Sequence, residues 1–274
     1  MRTWVLITGC STGIGRALVP LCREAGWGVV ATARHPEALA DLPAGEDLRI
    51  LPLDVTDAAS IQATREACLD LHLKALVNNA GYGQVGPLEL IRSEEFRAQF
   101  ETNVIGLQMV TNAFLPLLRR EPGARILQVA SMLGRLSIPL AGPYNASKHA
   151  VVALAESLRL EVGREVAVVL VEPGAIQTAF RDTLARAWGD LPQRAVGTPY
   201  EAVIARYLAR RQEQADRFAL DAESCARRML HALNAKHPPR RLTIGRDAFW
   251  VGKLKAILPA PWWEAILRRA YGLG

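Results

Sequence analysis

The amino-terminal residues combine a short apolar run with a glycine-rich turn. Trp4 to Ile7 has the length of a buried strand, Thr8 to Gly15 contains three glycines, and a helical pattern begins at Arg16. This order lets a pyrophosphate approach a helix amino terminus, where free amide groups and the helix dipole favour an anion. The pattern predicts a dinucleotide-binding turn. The alternative is a structural turn whose glycines only adopt positive φ.

Further apolar runs alternate with helical stretches, the pattern of an α/β fold with a parallel sheet and helices on both faces. The length agrees, since 274 residues with 50% hydrophobic content can fill one core. We therefore predict a doubly wound parallel sheet of about seven strands in a single domain, 1–274. The predicted strands are Arg2 to Thr8, Gly28 to Arg34, Arg49 to Val55, Ala75 to Asn78, Arg125 to Ser131, Val166 to Val171 and, at an edge, Arg241 to Ile244.

A second group of residues can move a proton. Tyr144 and Lys148 are four residues apart, so in a helix their side chains share a face. A positive charge about 4 Å from a phenol, at an effective dielectric of ~20, is worth roughly 4 kcal/mol or ~3 pKa units. Lys148 is therefore predicted to lower the pKa of Tyr144, although a solvated helix face is the alternative for an isolated Tyr-x-x-x-Lys match. Ser131 follows an apolar run and is predicted at the carboxyl end of a strand, where open parallel sheets bind ligands.

Together these motifs resemble the short-chain dehydrogenase/reductase family over most of the chain. Thr8-Gly9-x-x-x-Gly13-x-Gly15 is similar to its cofactor loop, and Asn103, Ser131, Tyr144 and Lys148 match its catalytic four in order and approximate spacing. The resemblance implies a Rossmann-type fold and an enzyme that interconverts a carbonyl and an alcohol with a nicotinamide cofactor. The residues assigned to the cofactor are Thr8, Gly9, Ser11, Thr12, Gly13, Ile14, Gly15, Arg16, Arg34, Asp54, Val55, Asn79, Ala80, Gly81, Tyr144, Lys148, Pro173, Gly174, Ile176 and Thr178.

The resemblance also implies a role for each catalytic residue. Ser131 and Tyr144 would bond the substrate oxygen, Tyr144 would transfer the proton, and Lys148 would hold the nicotinamide ribose. Asn103 would fix a water that refills the proton through Lys148. The alternative for Asn103 is that it bonds a neighbouring backbone from within a predicted helix, Glu94 to Leu118.

Charge at the end of the second predicted strand bears on cofactor choice. In dinucleotide folds an acidic residue about 20 residues beyond the glycine turn holds the NAD ribose, whereas an arginine accommodates the 2′-phosphate of NADP. Here the strand ends at Arg34 without an acidic residue, and Arg16 and Ser11 could add a charge and a hydroxyl donor. NADP(H) is therefore the predicted preference. The alternative is that Arg34 only solvates the strand end and NAD(H) is accepted too.

Evidence on the substrate lies in the part of the chain that follows Ser131. The stretch 180–224 is charged and helical in pattern, and we predict a mobile lid there. An apolar carbonyl or alcohol would fit a pocket lined by apolar side chains, although each of these residues could equally belong to the core or to an interface. The candidates are Leu133, Leu136, Ile138, Leu140, Phe180 and Trp188.

The carboxyl-terminal extension, 236–274, is basic and rich in tryptophan. It holds eight Lys/Arg and two Asp/Glu, a surplus equal to the net charge of +6, and three of the six tryptophans. Such a segment suits peripheral contact with an anionic membrane. The alternative is a tail that covers the pocket or joins a subunit interface. No recognition motif accompanies the charge, so nucleic acid is not a predicted partner.

The cysteines, the histidines and the apolar stretches bear on metal binding and on localisation. The four cysteines and five histidines show no metal-ligand spacing, and we expect no metal site and buried, reduced thiols. Without an apolar stretch of ~20 residues, a cytoplasmic protein is expected.

Two segments, Gly142 to Lys148 and Phe100 to Gly106, resemble the branch of 17β-hydroxysteroid, retinol and acyl-dihydroxyacetone-phosphate reductases. The family resemblance also implies a homodimer or homotetramer. The alternatives are a reductase of small carbonyls, quinones or acyl-carrier-bound ketones, and a non-catalytic NADP sensor or scaffold.

Overall fold

A sheet of seven parallel strands forms the centre of the structure. The computed structural model describes residues 2–178, 183, 187–213 and 219–273, without the side chains of 208–213. The strands are β1 (Thr3–Ile7), β2 (Gly28–Ala33), β3 (Leu48–Pro52), β4 (His72–Asn78), β5 (Ala124–Val129), β6 (Val166–Pro173), β7 (Ile176–Gln177), β8 (Leu220–Asp221) and β9 (Arg241–Ile244). Their order in the sheet is β3-β2-β1-β4-β5-β6-β9, and β7 pairs separately with β8.

The seven-stranded, doubly wound sheet confirms the predicted fold class. The strand order reverses direction between β1 and β4, which leaves a crevice at their carboxyl ends where such folds bind ligands. Strands β2 and β5 are buried along their whole length, as expected for parallel strands covered on both faces. Some boundaries differ from the prediction, since β4 begins three residues before Ala75 and β6 continues to Pro173.

Helices cover both faces of the sheet. Residues of α1 and α8 pack on one face, and residues of α2, α4 and α5 pack on the other. The α-helices of the described residues are α1 (Gly13–Glu24), α2 (Ala58–Glu66), α3 (Ser93–Phe100), α4 (Leu107–Leu118), α5 (Gly142–Glu161), α6 (Leu191–Ala195), α7 (Glu201–Glu213), α8 (Ala222–Asn234), α9 (Arg246–Ile257) and α10 (Ala260–Tyr271).

The predicted helix Glu94 to Leu118 is interrupted. A π-helical turn, Glu101–Gly106, lies between α3 and α4 and contains Asn103. The helix passes close to the end of the third strand at Gly106, where an added Cβ would lie 2.5 Å from the Val55 carbonyl oxygen. Wide turns of this kind are frequent at functional sites, and this one widens the helix at a predicted catalytic residue.

A third apolar cluster lies apart from the two faces of the sheet. It contains Trp188, Leu191 and Ile204 from the cap, which we define as the described residues 187–207 with their side chains, together with Val85 and Ala141. The cap therefore packs on the loops that follow β4 and precede α5. Its mobility as a lid remains a prediction, and Phe180 lies outside the described residues.

The carboxyl-terminal extension has an inner and an outer side. Trp263 is buried, and the Tyr271 ring stacks on Tyr207 of the cap with centroids 6.5 Å apart. Trp250 and Trp262 are 61% and 67% exposed. The segment thus folds back onto the cap while two of its tryptophans face outward. Within the described ranges, no helix is both long and apolar enough to cross a membrane.

Candidate active site

The glycine-rich turn leaves the amino terminus of α1 open at the switch point. Gly9 and Gly13 have φ of +71° and +64°, which other residues rarely adopt. Thr12 precedes the helix in extended conformation, and its side chain makes no capping hydrogen bond. An added Cβ on Gly15 would lie 2.6 Å from the Gly9 carbonyl oxygen, so the turn packs tightly against itself. The exposed Ser11 and Thr12 and the partly buried Ile14 complete the predicted loop, which fits a pyrophosphate.

Thr8 and Asn79 join this turn to the end of β4. The Thr8 hydroxyl oxygen accepts hydrogen bonds from the backbone amides of Asn79 and Ala80, both at 2.9 Å. The Asn79 side chain donates to the carbonyl oxygens of Thr8 at 2.9 Å and Gly9 at 3.0 Å. These two predicted cofactor residues therefore fix the start of the glycine-rich turn against the end of β4.

Arg34 and Asp54 lie at the neighbouring strand ends. Burial raises the pKa of Asp54, but hydrogen bonds from Thr56 and the positive charge of Arg34 outweigh it and hold that pKa below its usual range. Arg34 is exposed. Arg16, predicted as a second cation for a phosphate, instead donates to Asp41 at 2.5 Å and to the Ala38 carbonyl at 3.2 Å.

The catalytic candidates Ser131, Tyr144 and Lys148 meet at the carboxyl end of β5. The Ser131 hydroxyl begins a short 3₁₀ turn by accepting from the Leu133 amide at 3.1 Å, and it is hydrogen bonded to Tyr144. Lys148 is buried, donates to the Val129 carbonyl oxygen at 2.8 Å, and has its nitrogen 5.7 Å from the centroid of the Tyr144 ring. The structure thus brings the three predicted residues together.

The protonation of this group differs from the prediction. Burial raises the pKa of Tyr144 to about 12, and the Ser131 hydrogen bond only partly opposes it. Burial also lowers the pKa of Lys148 to about 8. The expectation that Lys148 lowers the pKa of Tyr144 toward neutrality is therefore wrong for this structure, because loss of solvent acts on both groups and disfavours both charges. Tyr144 is a neutral phenol that carries a proton to donate.

Asn103 makes the contacts of its alternative role. Its side-chain oxygen accepts from the Tyr82 amide at 3.1 Å, and its nitrogen donates to the Tyr82 carbonyl at 2.9 Å and to Ser147 at 3.2 Å. Ser147 in turn donates to the Tyr144 carbonyl at 2.8 Å. Asn103 therefore holds the loop after β4, which includes Gly81, against α5, the helix that contains Tyr144 and Lys148. The water relay remains a prediction.

A buried glutamine that carries no motif supports the same loop. Gln99 donates to the Tyr82 carbonyl at 2.9 Å and accepts from the Gln84 amide at 2.5 Å. Gln84 donates to the Ala187 carbonyl at 3.0 Å and so reaches the cap. Sequence reasoning missed both glutamines. The available signal was the spacing of Gln99 and Asn103, four residues apart on one helical face.

The segment after β6 closes over the glycine-rich turn. The Gly174 amide donates to the Ile244 carbonyl at 2.7 Å, and an added Cβ there would lie 2.2 Å from a carboxylate oxygen of Asp247. Thr178 reaches the turn itself, since an added Cβ on Gly13 would lie 3.3 Å from its Cβ. Pro173 ends β6 and Ile176 begins β7. The two predicted cofactor segments, distant in sequence, are therefore in contact.

A buried carboxylate was also missed. Glu172 is 1% exposed and lies directly before Pro173. It accepts a hydrogen bond from Arg135 at 2.8 Å and is ion-paired with Arg241. Because Arg135 lies four residues after Ser131, this pair joins the loop that begins at Ser131 to the carboxyl end of β6. The sequence signal that could have identified Glu172 is the presence of an acidic residue within an otherwise apolar strand.

An apolar cavity of about 520 Å³ lies beside α5. Ile138 and Leu140 are among its lining residues, whereas Ser131, Tyr144 and Lys148 are not, so their place in a substrate pocket remains a prediction. Leu140 has a φ of +63°, unusual for a residue with a side chain. Leu136 and Trp188, also predicted for the pocket wall, are buried in the protein, 1% and 4% exposed, and Leu133 is partly buried. Within the described ranges, no cluster of three or more candidate ligands could hold a metal ion.

Sequence comparison finds a family profile and known enzymes that match most of this chain. A family profile described as short chain dehydrogenase matches residues 3–188. The chain is 33% identical to retinol dehydrogenase 5 of Homo sapiens, over 97% of this chain and 88% of that one. It is 37% identical to 17-beta-hydroxysteroid dehydrogenase type 1 of Mus musculus, over 87% and 72%.

Two solved structures are similar across nearly the whole chain. A short-chain dehydrogenase/reductase from Burkholderia phymatum in complex with NAD has a TM-score of 0.79 at 28% identity, covering 93% of this chain and 92% of that one. A short-chain dehydrogenase from Burkholderia cenocepacia J2315 in complex with NADP has a TM-score of 0.74 at 25% identity, covering 97% and 99%. Both bind a nicotinamide cofactor, and the two cofactors differ.

The burial of Lys148 predicts a pH-dependent stability. The pKa of Lys148 falls from 10.5 to about 8 on folding. The unfolded chain therefore binds more protons between these values, and the free energy of unfolding rises with pH. From pH 7 to 8.5 the gain from this one group is roughly 1 kcal/mol. Urea unfolding at both pH values should show a smaller gain for Lys148→Met than for the wild type. Equal gains would contradict the assignment.

Proposed function

The chain belongs to the short-chain dehydrogenase family and is an alcohol and carbonyl oxidoreductase that uses a nicotinamide cofactor, and we propose that it prefers NADP(H) and acts on an apolar ketone, aldehyde or alcohol. The observation that carries the proposed mechanism is the hydrogen-bonded pair of Ser131 and Tyr144 at the carboxyl end of β5. A protonated phenol next to a second hydroxyl can bind a carbonyl oxygen and then give it a proton.

In the reductive direction, a nicotinamide cofactor held at the glycine-rich turn would supply the hydride for the carbonyl carbon. Tyr144 donates its proton to the oxygen on which negative charge develops, and Ser131 stabilises that charge by a hydrogen bond. We assign Lys148 to the nicotinamide ribose hydroxyls, because its nitrogen lies beside the Tyr144 ring. Asn103 acts on the site through its contacts with Tyr82 and Ser147. Oxidation of the alcohol follows the same steps in reverse.

The preference for NADP(H) rests on Arg34. The guanidinium is exposed at the end of β2 and close enough to Asp54 to lower the pKa of that carboxyl. A planar, permanently charged donor suits the 2′-phosphate of NADP. Arg16 contributes less in this proposal, since Asp41 already neutralises it. NAD(H) is the alternative cofactor.

The apolar substrate is supported by the walls beside the catalytic helix. The cavity next to α5 is bordered by Pro87, Leu88, Ile138 and Leu140 together with Asn145, His149 and Tyr200, so most but not all of its wall is apolar. The relatives named for retinol and 17-beta-hydroxysteroid point to the same class of substrate. We propose that the segment 180–224 acts as the lid over this substrate within a single domain, 1–274.

A homodimer or homotetramer is supported by exposed apolar residues on the catalytic helices. Ile105 and Met109, four residues apart, are 45% and 44% exposed, and Leu160 at the end of α5 is 84% exposed. A second copy of the chain would cover these side chains. Light scattering of the purified protein would measure the assembly.

Tyr144→Phe is expected to abolish turnover of apolar ketones and to leave NADPH affinity within about threefold of the wild type, because only the transferable proton is lost. Ketone-dependent loss of NADPH absorbance gives the turnover, and fluorescence titration gives the affinity. Phe96→Leu, on the surface of α3, is the control and should keep full activity. Turnover by Tyr144→Phe near the wild-type rate would disprove the mechanism.

Arg34→Glu is expected to weaken NADPH binding by about 10 to 100-fold, because it replaces a charge-assisted phosphate contact by repulsion. NADH binding should change much less. The measurement is the ratio of the two dissociation constants in wild type, in Arg34→Glu and in Arg120→Glu, an exposed arginine at the end of α4. If Arg34→Glu and Arg120→Glu alter the ratio equally, Arg34 does not read the phosphate.

A further inference from the structure

We propose that helices α9 and α10 bind the surface of an anionic lipid bilayer. Each helix has an outward face on which large apolar and cationic side chains alternate. This inference goes beyond the proposed reaction and is tested without cofactor or substrate, so the two can fail separately.

The outward face of α9 is broad and apolar. Phe249, Trp250, Leu254 and Ile257 are 46%, 61%, 46% and 80% exposed, and their spacing places them on one side of the helix. Lys253 lies among them, with its nitrogen 4.2 Å from the centroid of the Phe249 ring. An ammonium held over aromatic rings is the arrangement expected at a headgroup boundary, where aromatic side chains enter the lipid and lysine stays at its polar edge.

Helix α10 continues this composition after a two-residue break. Trp262 and Ile266 are 67% and 47% exposed, and Arg269 is exposed on the same side. The opposite side faces the protein, since Trp263 is buried and Tyr271 stacks on the cap. The inner side therefore fixes the helix to the protein and leaves the tryptophan of the outer side in solvent.

Charge favours lipid over a second copy of the chain. Residues 246–271 hold five Lys/Arg and two Asp/Glu. One of these carboxylates, Asp247, accepts a hydrogen bond from the Ala175 amide at 2.7 Å. A two-fold interface through this surface would bring equivalent cations from both copies together. An anionic bilayer instead neutralises them and takes up the exposed aromatic rings.

The position of α10 connects this surface with the cavity. Leu273, just after the helix, lines the cavity together with Tyr200 of the cap. Leu273 lies eleven positions after Trp262, and at the rise of an α-helix this spacing corresponds to about 16 Å. A bilayer bound at Trp262 would therefore lie within one helix length of the cavity wall, which suits an apolar substrate that partitions into lipid.

Flotation of the full chain with vesicles tests the proposal. Vesicles of phosphatidylcholine mixed with phosphatidylserine should carry the protein upward, with a shift of tryptophan emission to shorter wavelength. Vesicles of phosphatidylcholine alone should bind it much less, and added salt should weaken the binding. Absence of flotation with the anionic vesicles would overturn the proposal.

Two double variants separate the contributions. Trp250→Ser with Trp262→Ser removes the apolar anchors, and Lys253→Glu with Arg269→Glu reverses two charges. Each is expected to reduce vesicle affinity by at least about tenfold. The matched control, Leu69→Ser with Arg120→Glu, changes exposed residues elsewhere and should bind as the wild type does. Circular dichroism verifies folding.

Unchanged binding by both variants would overturn the proposal. So would a wild type that does not bind vesicles but loses subunits, by light scattering, when the two tryptophans are replaced. That second result would assign the surface to another copy of the chain.

Discussion

The parallel alignment of the seven strands is the constraint on which the site depends. Because every pair in the sheet is parallel, all the carboxyl ends lie at one edge, and the reversal of order between β1 and β4 opens a crevice there. Hydrophobic burial on both faces holds this alignment, and the register of each strand fixes the position of the loop that follows it. The sheet therefore brings the glycine-rich turn after β1 and Ser131 after β5 to the same edge.

Buried polar side chains then fix the loops relative to one another. Thr8 and Asn79 join the ends of β1 and β4, and Asn103 joins the next loop to the catalytic helix. Glu172, at the carboxyl end of β6, is joined through Arg135 to the loop that begins at Ser131. A buried polar group left without its partner is costly, so these pairs specify one arrangement of the loops. The residues that make these contacts differ from Ser131 and Tyr144, to which the proposed mechanism assigns the chemistry.

The sequence predicted those features that depend on neighbouring residues. The apolar runs located the strands, the glycine pattern located the turn before α1, and the spacing of Tyr144 and Lys148 placed both on one helical face. It could not predict features set by distant contacts. The ion pair of Arg16 with Asp41 and the arginines around Glu172 require the folded chain. The pKa of Tyr144 depends on burial, which outweighs a favourable neighbour that spacing alone suggests.

In the reaction that we propose, Tyr144 protonates the carbonyl oxygen while a bound nicotinamide cofactor would supply the hydride for the carbonyl carbon. The most direct test uses NADPH deuterated at the transferring C4 position, an apolar ketone, and mass spectrometry of the alcohol formed. We expect one deuterium on the carbinol carbon with the wild-type protein, and no labelled alcohol with Tyr144→Phe. An unlabelled alcohol from the wild type, or a labelled product formed at the wild-type rate by the variant, would contradict it.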